Sequence, residues 1–230
     1  MTGKATNPLI FLCVLALAGC GPPSATPAPT AVGPATPLPT PILAGGMSLE
    51  ETMVQRRSIR EFNDAPLTDA KLGQLLWALQ GITNERGFRT APSAGALYPL
   101  EVYVATPDGL FHYDPLRHRL LAMSTKDARQ ALYKAALRQE PVRQAPAVFI
   151  VAAVYERTQN KYGTERGPRY VHLEAGHAAQ NLLLEAVALG LGAVPIGAFQ
   201  DEQIRQVLGI PADHQPLYLI PVGQPQGADP

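Results

Sequence analysis

Residues 147–154, Ala-Val-Phe-Ile-Val-Ala-Ala-Val, constrain this chain more tightly than any other segment. Eight consecutive apolar residues with β-branched and aromatic side chains have the length and composition of a strand. The absence of polar alternation predicts a strand at the centre of a sheet, covered on both faces. Any fold proposed for the chain has to bury this segment and supply partners on either side of it.

The surrounding segments supply those partners. Glu101–Ala105 reads as a strand. Leu110–Tyr113 and Arg119–Met123 read as a hairpin around Asp114-Pro115. Val194–Phe199 and Leu217–Val222 read as two more strands. Ser48-Leu49-Glu50-Glu51 has the form of a capping box, so a helix starts near residue 48 and runs up to an arginine cluster. Pro66-Leu67-Thr68-Asp69 precedes a second helix, with Leu72, Leu75, Leu76 and Leu79 at i, i+3, i+4, i+7 spacing. Helical patterns are also expected over 126–138, 168–190 and 201–208. Residues 82–100 are rich in Gly, Pro and Ser without clear periodicity and form a long loop of the kind that carries function. Helices and strands mix without strict βα alternation. The expected fold class is therefore α+β rather than a doubly wound parallel sheet.

The N-terminal part divides differently. Residues 9–18 are apolar without a break, too short to span a bilayer comfortably, and end in Leu17-Ala18-Gly19-Cys20. The arrangement resembles a bacterial lipoprotein signal. Residues 1–19 are then a signal peptide, Cys20 is lipidated, and the protein is extracytoplasmic and membrane-anchored. Residues 21–46 hold eight Pro and four Thr and no charge, a composition that favours extended chain over a packed core. The expected division is a signal at 1–19, a lipidated tether at 20–46 and one folded domain at 47–230. With Cys13 in the leader and Cys20 acylated, the domain keeps no thiol for disulfides, zinc or nucleophilic catalysis.

Three runs carry candidate chemistry. Arg56-Arg57-Ser58-Ile59-Arg60 places three guanidinium groups within five residues of a chain with 19 basic and 19 acidic residues. A local cationic cluster in a neutral protein suits one small multi-oxygen anion, not a nucleic acid. Taken alone, the run equally suits a solvated helix end. Pro92-Ser93-Ala94-Gly95-Ala96 combines small residues with a hydroxyl and lets backbone approach a flat ligand, although by itself it also fits a surface loop. Pro195-Ile196-Gly197 lies in a glycine-rich helix-to-strand connection that lacks the dinucleotide fingerprint. His172, Glu174 and His177 are poorly spaced for a shared helical face, and no metal site is assigned.

In this order and spacing the runs resemble the FMN-dependent nitroreductase superfamily over about residues 48–225. The SagB-type dehydrogenases are the nearest subgroup. The likeness rests on R-R-S-I-R-x-F at 56–62, P-S-A-G-A-L-Y-P at 92–99, K-Y-G at 161–163, E-A-G-H-A-A-Q-N at 174–181 and A-L-G-L-G-A-V-P-I-G-A-F at 188–199. The resemblance implies a nitroreductase-like homodimer with a central, mostly antiparallel sheet flanked by helices. It implies that Arg56, Arg57, Ser58 and Arg60 hold the FMN phosphate, ribityl chain and pyrimidine edge. Pro92, Ser93, Ala94, Gly95 and Ala96 of the other subunit would lie along the isoalloxazine, and Pro195, Ile196 and Gly197 would face it near N5. Helix 168–190 would pair across the dimer through Ala175, Gly176, Ala178 and Ala179. The implied activity is ping-pong hydride transfer to or from a small organic substrate, such as a nitroaromatic, quinone or enone. No side chain is nominated as catalytic. Two departures stand out: the tail 226–230 has no basic residue, and Gly197-Ala198 stands where many relatives carry an acid. They leave room for an alternative, a non-catalytic tethered module that binds flavin or another anion. The electron donor is not legible in the sequence.

Overall fold

The computed structural model describes residues 31–227, so the expected signal peptide at 1–19 and the expected lipidation at Cys20 lie outside the described residues. A seven-stranded sheet organises the chain. Its strands are β1 (Ala35–Pro37), β2 (Leu100–Thr106), β3 (Gly109–Asp114), β4 (Arg119–Ser124), β5 (Ala147–Val154), β6 (Gly192–Ala193) and β7 (His214–Gly223). Their order is β1-β4-β3-β2-β5-β7-β6, and every ladder is antiparallel.

β5 runs between β2 and β7, and all eight of its residues are fully buried. Alternation along it explains the unbroken apolar sequence. Ala147, Phe149, Val151 and Ala153 face one core, while Val148, Ile150 and Ala152 face the other. The first core packs under α2 (Asp69–Gln80) and α5 (Tyr155–Ala188). The second packs under α3 (Arg129–Ala135), α4 (Glu140–Gln144) and α6 (Asp201–Leu208).

The helix starts follow their caps. Ser48 Oγ accepts from Glu51 N at 3.2 Å and Ser48 N donates to Glu51 Oε2 at 2.8 Å, closing the expected box on α1 (Leu49–Gln55). Thr68 caps α2, whose four leucines are buried as their spacing requires.

Four segments differ from expectation. Residues 35–43 join the domain: β1 adds to β4, Leu38 N donates to the His118 carbonyl, and Gln74 clamps both the N–H and the C=O of Ile42. Edge addition uses only backbone groups, so a proline-rich sequence does not prevent it. α5 begins at Tyr155, breaks at Gly163 (φ 78°, ψ 165°), and resumes beyond it with Pro168 inside its second half. The helix expected over 126–138 stops at Ala135, and Leu137 and Arg138 take positive φ before α4. Of the strand expected over 194–199, only the bridge Ile196–Leu219 forms, beyond the two-residue β6.

Candidate functional site

The arginine run leaves α1 and is fastened to the far edge of the sheet. Ser58 bridges Ala193 in parallel, and Ile59 N donates to the Ala193 carbonyl at 3.0 Å. Farther on, buried Phe62 bridges Pro225 and Asn63 N bonds to the Gln224 carbonyl. Gly192 permits this approach, since a Cβ there would lie 2.7 Å from the Ile59 side chain. Arg57 Nη1 bonds to the carbonyls of Val54 and Arg56, and Arg60 Nη1 to that of Ser58. Among the described residues, none of Arg56, Arg57 and Arg60 pairs with a carboxylate. Three guanidinium groups therefore stand without a carboxylate partner and are open to an external anion.

Arg60 also lines a cavity of about 290 Å³ with Gln139, Pro195, Ile196, Gly197 and Ala198. Ile196 is held by two bonds with Leu219, at 2.8 and 2.9 Å, whereas Gly197 is exposed with open space where a side chain would be. The structure thus brings Arg60 together with Pro195–Gly197 and fastens Ser58 to the same edge of the sheet, at Ala193.

The third group lies elsewhere. Pro92–Ala96 closes in a single 3₁₀ turn with Gly95 at φ 64°, and Ala96 and Tyr98 also take positive φ. Such concentrated backbone strain is typical of ligand-holding segments. Ser93 Oγ accepts the Tyr98 N–H at 2.9 Å and braces the turn. Gly95 suits the positive φ, and the tips of Lys161 and Tyr162 close over it, at 2.8 Å (Nζ) and 2.9 Å (Oη) from where a Cβ would stand.

A half-buried polar frame supports this loop. Arg157 donates to the Tyr98 carbonyl and, at 2.5 Å, to Glu101, whose other oxygen meets His112 Nε2 at 2.7 Å. Burial opposes ionisation of Glu101, but the His112 hydrogen bond and the Arg157 charge prevail and hold its pKa down at about 2. Arg89 stacks 4.5 Å from the Tyr98 ring centroid and bonds to Gln80 Oε1. From α5, Asn181 donates to the Thr90 carbonyl, and Glu174, 2% exposed, sits against Ser93. Burial pushes Glu174 up to about 7, against the Ser93 hydrogen bond and the Arg89 charge, which lower it. Glu174 and Asn181 are seven residues apart and share a helix face. That face explains why the 174–181 run accompanies the 92–99 loop. His172, by contrast, bonds to Tyr155 Oη, and His177 is exposed.

The frame residues Glu101, His112 and Arg157 were missed in the sequence, because nothing in their spacing marks them as partners. Lys161 and Tyr162 were signalled only by the K-Y-G run.

Within one protomer the arginines and the loop occupy opposite ends of the sheet. Pro99 O accepts from Val154 at the C-terminal end of β5, whereas Ala193, beside Ser58, pairs through Val222 to Ala147 at its N-terminal end. Seven residue steps along a strand separate these ends by about 24 Å.

The nitroreductase family model matches residues 53–224, and the chain belongs to that family. That membership, together with the fold, makes it a flavin-dependent oxidoreductase. A protein assigned as a nitroreductase in Methanocaldococcus jannaschii is 47% identical over 184 residues, covering 77% of this chain and 91% of that one. A crystal structure assigned the same way, from Ralstonia eutropha, superposes with a TM-score of 0.76 at 30% identity and covers 89% of this chain and 96% of its own. The trifolitoxin-processing protein TfxB of Rhizobium leguminosarum is 32% identical over 119 residues, spanning 47% of this chain and 32% of that protein.

Proposed function

We propose that the protein is an FMN-dependent oxidoreductase of the SagB-type subgroup, acting by ping-pong hydride exchange in sites shared between two protomers. The observation that carries this reading is the run of guanidiniums at Arg56, Arg57 and Arg60, none paired with a carboxylate among the described residues, with Arg60 beside the open Pro195–Gly197 edge. That donor set fits a flavin mononucleotide, with a phosphate for the forked donors and a flat ring for the glycine-rich edge. Arg56, Arg57 and Ser58 would hold the phosphate and ribityl chain. Arg60 would place positive charge at the pyrimidine edge, favouring a more electron-rich ring. Pro92–Ala96, distant in the same protomer, would come from the second one and cover the other face. Bound FMN supplies reversible two-electron chemistry at N5. The chain's own part is to hold, orient and shield it, and no side chain need act as acid or base.

The subgroup assignment is supported by the packing of the 161–163 and 174–181 runs against the 92–99 loop. The N-terminal reading stands on sequence: a lipoprotein anchored through Cys20 outside the membrane. There NAD(P)H is not available, and the donor would be a quinol, a redox protein or the substrate itself. Nitroaromatics, quinones and enones suit an open cleft above a flavin. Extraction and chromatography of the chromophore from purified protein test the cofactor: FMN in a yellow protein supports the reading, and a colourless protein that refuses added FMN overturns it. Anaerobic titration of the loaded protein tests the donor, and rapid bleaching by micromolar NADH or NADPH would contradict the proposal.

A further inference from the structure

α5 folds back on itself at Gly163, and the fold-back gives Arg157 its place. Tyr155 Oη meets His172 Nε2 at 2.5 Å across 17 residues of sequence. A straight helix would hold the two residues about 25 Å apart, beyond the reach of their side chains. The Tyr162 and Tyr170 ring centroids lie 4.8 Å apart, and a Cβ on Gly167 would stand 3.0 Å from Gln159 Cα. These contacts pair an arm over 155–162 with the residues that follow Gly163, whose φ of 78° suits glycine. The arm lies against the Pro92–Ala96 loop. The tips of Lys161 and Tyr162 close over Gly95, and Arg157 reaches Tyr98.

Tyr98 is a strained point of that loop. It takes φ 47° and precedes Pro99, whose ring disfavours helical backbone in the residue before it. A bulky residue keeps such a conformation only where its surroundings hold it. Ser93 Oγ holds its N–H at 2.9 Å, and Arg89 stacks on its ring. Its carbonyl is held by Arg157 Nη1 at 3.2 Å and has no other partner among the described residues. Arg157 Nη2 bonds to Glu101 Oε1 at 2.5 Å, and Glu101 Oε2 meets His112 Nε2 at 2.7 Å. An ionised carboxylate only accepts, so both neighbours donate to Glu101. His112 therefore carries a proton on Nε2 and occupies one carboxylate oxygen, which leaves the other to Arg157. The guanidinium plane is fixed at two points.

We propose that Arg157 is a positioning residue of the candidate site: carried on the folded-back arm of α5 and aimed by Glu101 and His112, it clamps the Tyr98 carbonyl and keeps Pro92–Ala96 in the shape that a flat ligand meets. The identity of that ligand rests on the flavin reading, and the clamp rests on the Arg157 bonds alone. One short arm then sets both the shape of the loop, through Arg157, and its rim, through Lys161 and Tyr162.

The test is a flavin-fluorescence titration of FMN binding in wild type and Arg157→Ala. Binding should weaken about ten- to a hundredfold in the variant, as for loss of a hydrogen bond from a charged donor. Millimolar guanidinium, entering the space that the half-buried side chain vacates, should restore it, and equal sodium should not. Unchanged affinity overturns the proposal. So does a loss that guanidinium leaves untouched, because general damage to the fold would not respond to it. Should Arg157→Ala fail to fold, Arg157→Lys decides: it keeps the charge without the fork, weaker binding is expected, and wild-type affinity refutes the clamp. Should wild type refuse FMN, the flavin reading fails. The clamp is then decided on flavin-free protein by hydrogen exchange at the Tyr98 amide, expected to be faster in Arg157→Ala and slowed again by guanidinium; equal rates in wild type and variant refute it.

Discussion

Glu101 and Glu174, on opposite sides of the Tyr98 turn, titrate in opposite senses, and their sum predicts the pH profile of stability. Glu101 drops from an ordinary 4.5 to about 2 in the folded protein. At about 1.4 kcal/mol per unit, its pairing with His112 and Arg157 contributes about 3 kcal/mol. That contribution is complete above the unfolded value of 4.5 and is lost as pH falls toward 2. Glu174 rises from 4.5 to about 7. Its buried charge therefore costs about 3 kcal/mol when both states are ionised above pH 7, and the cost is relieved as pH falls from 7 toward 4.5. The two terms together place maximum stability in mildly acidic solution, near pH 4.5–5.5. Glu174→Gln keeps the shape and removes the charge, so it should flatten the alkaline limb and stabilise the protein at pH 8 by up to about 3 kcal/mol. Glu101→Gln should flatten the acid limb while lowering stability at neutral pH, because Arg157 loses its buried partner. Urea unfolding of flavin-free protein at half-unit steps from about pH 2 to 8 measures both limbs. An alkaline limb that falls as steeply in Glu174→Gln as in wild type would refute the reasoning.

Replacing both Arg56 and Arg60 with Ala should abolish FMN retention while changing unfolding free energy by less than about 1 kcal/mol, since neither side chain is paired or buried; a flavin absorbance titration with a parallel denaturation curve checks both halves. Gly192→Val forces the Ile59 side chain away from β6, and should cost about 1–3 kcal/mol and weaken FMN binding at a distance. Gln74→Ala removes both bonds to Ile42, so limited proteolysis should cut within 40–47 several-fold faster with the catalytic domain left intact.

The central strand, the caps of α1 and α2 and the α+β class were all legible in the sequence, because each is written in a local pattern that burial or hydrogen bonding enforces directly. The run of unalternating residues at 147–154 is one such pattern, since alternate side chains feed two separate cores. The docking of residues 35–43 was not legible, because edge addition reads backbone groups and not a side-chain pattern. Nor was the Arg157–Glu101–His112 frame, whose members are 56 and 11 residues apart and meet only once β2 and β3 pair. The helical turns at 155–167 were not legible either, because Gly163, Gly167 and Pro168 interrupt the pattern ahead of the helix expected from 168. Each of the three candidate runs was visible as residues. That they fall into two groups at opposite ends of one sheet became visible only in the fold.

That separation can be tested by complementation. Two variants, Arg56→Ala/Arg60→Ala and Gly95→Val, each remove one half of the proposed site and should each fail to retain FMN. Unfolded and refolded together, or co-expressed with distinct tags and purified as mixed dimers, they regenerate one wild-type arginine run facing one wild-type loop. The account predicts one FMN per mixed dimer. Mixed dimers that remain empty, like their parents, would contradict a site shared between protomers.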